Sequence, residues 1–159
     1  MAEPISDILS VVNAAWRPLS EAVRLLGKEG LELRTSAGWT AKELVAHVAF
    51  WDEAVVGAVV GMFRREALPD GWTFGSGYLP EEGQAWPTAD EHNAREAAWA
   101  RRHSSREVLA RFASAHEQLL AILATVTEQE ACGHGGYFSG LGPHYAEHQP
   151  ELDRLISAR

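Results

Sequence analysis

A single cysteine, Cys132, excludes an intrachain disulfide and with it the stapled small-domain class, so a reducing cytosol is the expected compartment. Lysine is almost missing as well: only Lys28 and Lys42 occur. The 14 basic residues face 22 acidic ones, a net charge of −8 with no basic cluster. A surface of that sign repels phosphate backbones, so neither nucleic acid nor an anionic membrane is an expected partner. Long apolar runs are lacking too. Residues 54–63 form an uncharged stretch of ten between Glu53 and Arg64, where a membrane span needs about 20. The opening Met1-Ala2-Glu3-Pro4 has neither the basic nor the apolar region of a signal peptide. A soluble, cytoplasmic chain is the expectation. No G-x-S-x-G elbow, Walker loop, dinucleotide fingerprint or C-x-x-C pair occurs, and Gly75-Ser76-Gly77 lacks the strand and helix of a phosphate loop.

What is present is helical. With 159 residues, 46% of them apolar, the chain suits one domain spanning 1–159. Residues 5–26 carry Ile8, Leu9, Val12, Leu19, Val23 and Leu26 at helical spacing, and Gly27 and Gly30 end the pattern. Thr40 and Glu43 form a capping box, with Trp39 placed to staple onto Leu44. The helix they start carries an apolar stripe through Val48, Trp51, Val55 and Val59 and runs to about Arg65. A third helical region, 89–126, is interrupted near His103-Ser104-Ser105, where Ser104 and Glu107 make a second capping box. Its later half turns Val108, Phe112, Leu119, Ile122 and Val126 inward. A connector, Gly133-His134-Gly135-Gly136, leads to a last helix with Pro143 in its first turn. The expected class is all-α, a four-helix bundle. Between the second and third helices, 67–88 is rich in Gly and Pro yet carries Trp72, Phe74, Tyr78 and Trp86. A long loop with that many aromatics is expected to cover something.

The residues that point to chemistry are histidines. His144 and His148 are four apart, so on a helix they share a face with Cβ atoms roughly 6 Å apart. His47 lies on the apolar stripe of the second helix. A buried imidazole needs a partner, and three of them can share one divalent ion. Three protein ligands with a position left open is the pattern of a catalytic zinc site.

The run Gly38-Trp39-Thr40-Ala41-Lys42-Glu43-Leu44-Val45-Ala46-His47-Val48-Ala49-Phe50-Trp51 resembles the second-helix signature of the DinB/YfiT-like superfamily. His144-Tyr145-Ala146-Glu147-His148 is similar to the H-Y-x-x-H of its last helix, and Asp90-Glu91-His92-Asn93-Ala94 to the D-x-x-N-A that opens its third. The resemblance covers nearly the whole chain in order. It implies a four-helix bundle binding zinc, nickel or a similar ion through His47, His144 and His148. Relatives implied by it include thiol-dependent transferases and isomerases using mycothiol, bacillithiol or glutathione, and proteins that disarm reactive small molecules, among them a cyclopropane hydrolase.

Other residues admit two roles each. Glu151 would lie one turn past His148 as a base or orienting carboxylate in an unbroken helix, but a kink at Pro150 would leave it solvated. Glu147 is a second candidate base. Glu43 could orient His47, although its place in the capping box is the better use. Tyr145 could offer a hydroxyl to substrate or pack at a helix contact. Trp51 belongs to the core or to a pocket wall, and His134 is either a mobile fourth ligand or exposed. His92, His103 and His116 read as structural or solvent-facing. Cys132, with no basic residue or helix start beside it, reads as a loop thiol.

The expected function is therefore a metal-dependent enzyme for a small electrophilic molecule. Water or a low-molecular-weight thiol co-substrate would be activated on the ion. The open alternatives are a protein that binds and sequesters a small molecule, and a stress-induced interaction module. Homodimerisation through an apolar helix face fits all three.

Overall fold

A computed structural model describes residues 5–67, 85 and 87–159. Its helices are α1 (Ile5–Gly30), α2 (Ala41–Gly57), α3 (Ala89–Arg102), α4 (Ser105–Leu123), α5 (Glu128–Phe138) and α6 (Leu141–Ser157). Among the described residues there is no strand, only an isolated bridge between Arg34 and Thr40. The all-α expectation holds, with six α-helices among the described residues where four were expected. The aromatic residues Trp72, Phe74, Tyr78 and Trp86 lie outside the described residues.

Four of the helices begin the same way. A Ser or Thr at the N-cap accepts from the backbone N–H three residues on, and the Glu there reaches back to the cap. The pairs are Thr40/Glu43, Thr88/Glu91, Ser104/Glu107 and Thr127/Glu130. Each box satisfies two of the N–H groups that a helix start leaves unbonded. The last pair corrects one expectation. Residues 133–136, expected as a connector, belong to α5, which Thr127 and Glu130 nucleate and which bends at His134. Pro150 lies inside its helix, and α6 runs through it to Ser157.

α2 is the centre of the molecule. It packs along α4 and α3 and also meets α6, while α1 lies along α6. Residues 41–50 are all buried, so the apolar stripe expected of α2 is part of a helix enclosed on every side. By length and composition Ala41–Phe63 could cross a membrane, but 78% of its apolar window is buried inside the fold. The final stretch of that run, Ala58–Phe63, widens into a π-helix. Arg64 follows it and clamps α5, donating to Glu130 and to Thr125.

A helix enclosed on all sides must pair its polar groups inside the core. Lys42 meets Glu32 at 2.9 Å. Glu53 shares Arg111 of α4 with Glu96 of α3, at 2.8 and 2.7 Å, so one guanidinium joins three helices. Asp52, fully buried, accepts a 2.6 Å hydrogen bond from the hydroxyl of Tyr145 on α6. His116 of α4 lies 3.4 Å from the other Asp52 oxygen and stacks on Trp16 of α1 at 3.6 Å. This cluster joins α1, α2, α4 and α6.

Replacing Tyr145 with Phe would leave Asp52 without its closest donor at almost constant volume. The expected loss is about 1–3 kcal/mol of stability, read as a lower urea midpoint with unchanged slope. An unchanged midpoint would show that the bond carries nothing.

Candidate metal centre

Each of the three histidines is placed by a local feature of its helix. The capping box fixes the start of α2, and His47 follows just under two turns later on the face toward α6. α6 starts after Gly140, so His144 and His148 project from its first two turns toward α2. The three Nε2 atoms converge. His47 lies 2.9 Å from His144 and 3.1 Å from His148, and the α6 pair are 3.1 Å apart. Atoms so spaced can all reach one point about 2.0–2.1 Å away, the usual zinc–imidazole distance, subtending roughly 90° and leaving the opposite side open.

Hydrogen bonding decides what these nitrogens present. His47 Nδ1 is 2.9 Å from the side-chain oxygen of Asn93 on α3. That oxygen only accepts, so Nδ1 carries the proton and Nε2 offers a bare lone pair. A ligand histidine held through its other ring nitrogen is the usual second layer of a metal site. Nothing in the spacing of the histidines pointed to Asn93; the only signal was its place in the D-x-x-N-A run. Burial keeps the set neutral. It pushes His47 down to about 4, aided by the neighbouring charge of His148 and opposed by the Asn93 bond. His144 falls to about 3 through burial and the charges of His148 and His47, and His148 is also lowered by burial. Three neutral imidazoles with converging nitrogens can hold a divalent ion.

A cavity of about 610 Å³ opens beside the triad. Trp39, Leu44, Trp51 and Val55 give it an apolar wall; Glu147 and Glu151 are its acidic side chains among the described residues. Trp51, for which the sequence left core and pocket wall both open, lines this cavity. Glu151 is turned toward the α1–α2 loop, where it accepts from the backbone N–H and the hydroxyl of Ser36 and from Arg154. A turn through Thr35 and Gly38 (φ 86°), a conformation suited to glycine, presents Ser36 to it. Those bonds hold the Glu151 carboxyl down to about 2. Glu147 is exposed at the cavity.

Tyr145 is placed elsewhere. It is fully buried, its hydroxyl is given to Asp52, and it does not line the cavity. Glu43 keeps its capping role and pairs with Arg101. His134 stacks on Phe63 at 3.6 Å, away from the triad. His92 packs beside Phe50, and His103 bonds the carbonyl of Trp99. Cys132 is exposed on α5, in a helix where a loop was expected, and outside the cavity lining.

The depressed histidines make the metal-free protein acid-sensitive. Unfolded, these residues titrate near 6.5; folded, His47 and His144 resist protonation until about 4 and about 3. Their support is complete above pH 6.5 and is lost as pH falls, because the unfolded chain takes up protons that the folded site refuses. The urea midpoint of metal-free protein should drop between pH 6.5 and 4, and drop less in His144→Asn. Equal slopes in the two proteins would contradict this.

No curated protein and no solved structure matches the chain. A family model described as the DinB superfamily matches residues 12–150, most of the length, and takes in all three histidines. With the helical fold and the converging triad already in place, the chain belongs to the DinB superfamily.

Proposed function

We propose that this protein is a metal-dependent enzyme acting on a small electrophilic molecule, in detoxification or a stress response. The observation that carries the reading is the convergence of three neutral imidazole nitrogens at the end of an apolar cavity. His47, His144 and His148 would hold the ion, zinc or nickel, with Asn93 fixing the His47 ring. An ion there supplies Lewis acidity, which brings zinc-bound water to a pKa of about 7 and holds a small thiol as thiolate. The rest is done by the chain. Trp39, Leu44, Trp51 and Val55 keep bulk water from the electrophile. Glu147 takes the proton from the incoming water or thiol, and its exposed carboxylate is better suited to that than Glu151, already bonded to Ser36 and Arg154. Cys132 is too far along α5 to line the cavity, so the thiol version uses a separate low-molecular-weight thiol. We read residues 1–159 as one domain, with α1, α2, α4 and α6 as the four-helix bundle.

The apolar wall also supports a second reading, a protein that sequesters a small molecule without turnover. Metal dependence separates the two. Electrophile consumption, assayed with and without a small thiol, should vanish on chelation and return with added zinc or nickel. Binding that survives chelation, with no consumption under any condition, would favour sequestration.

A further inference from the structure

The chain has 14 basic residues, yet among the described residues no Lys or Arg lines the cavity. Nor can the remaining residues supply one, because 1–4 and the whole of 66–94 contain neither. Arg154 is engaged with Glu151 and stays outside the lining. Among the described residues, the carboxylates on the cavity are Glu147, exposed, and Glu151, half-buried, beside the indoles of Trp39 and Trp51. Away from the triad and its ion, a carboxylate, sulfonate or phosphate on the bound molecule would lose water against this wall without gaining a cationic side chain. An uncharged group gives up far less hydration than an ion, and a cationic one gains the aromatic faces and Glu147.

We propose that the cavity selects a neutral or cationic, largely apolar molecule. Apart from the atom given to the ion, that molecule carries no anionic group. This deepens the metal-enzyme reading and rests on it for what happens at the triad; the selection by charge rests on the cavity alone. If a thiol is the co-substrate, it is one without free carboxylates.

Three shape-related probes that ligate metals poorly test this: benzyltrimethylammonium, benzyl methyl sulfone and benzylsulfonate. Binding is followed by tryptophan fluorescence, with metal content measured on the same sample. The ammonium and the sulfone should bind, and the sulfonate about five- to tenfold more weakly, the scale of one unpaired charge at a partly open site. In Glu147→Lys, an exposed position whose folding is checked by thermal denaturation, the sulfonate should gain and the ammonium lose. Sulfonate binding as tight as the sulfone, no binding by any probe, or an unchanged order in Glu147→Lys would each overturn the proposal. A reversed order in protein carrying one ion per chain refutes the charge selection alone. The expected order in protein that takes up no metal refutes the metal-enzyme reading alone.

Discussion

Three imidazole nitrogens about 3 Å apart, with the lone pair of at least one of them fixed by Asn93, form an arrangement that positive charge relieves. Protons are a poor source of it, because burial holds His47 and His144 far below their ordinary range. A divalent ion can bond all three nitrogens at once while keeping one side open. The arrangement demands that α2 and α6 keep a fixed register, since a shift of one residue on either would turn an imidazole away.

Much of the remaining structure serves that register. α2 lies in the middle, enclosed by α3, α4 and α6, and its polar residues are tied to neighbours rather than to water. The Asp52–Tyr145 bond joins the two ligand-bearing helices five residues past His47 and one past His144. Arg111 fixes α3 against α2 through Glu53 and Glu96, which in turn fixes Asn93 on the same helix. Buried charges of this kind add little net stability, but leaving one without its partner is costly, so they penalise any other packing.

Periodicity and capping chemistry made most of this legible. The Thr40/Glu43 and Ser104/Glu107 boxes marked the starts of α2 and α4, and the break at His103 follows from the second. The equivalent Thr88/Glu91 and Thr127/Glu130 pairs carried the same signal, but the glycines of 133–136 outweighed it at α5, where capping and packing override propensity. The His47, His144 and His148 set was visible as spacing plus an apolar face. What spacing could not supply was the direction of side chains at one remove. Asn93 comes from a third helix, Tyr145 turns away from the pair flanking it, and Glu151 is drawn off by a loop 115 residues earlier in the chain. Each of these depends on how helices sit together, which no local pattern encodes.

The most direct test of the account is the metal content of untagged protein by mass spectrometry, wild type beside His144→Ala. About one divalent ion per chain in the wild type, lost in the variant while the fold persists, is the result the account predicts. A wild-type protein that carries no ion, and takes up none when zinc or nickel is supplied, would contradict it.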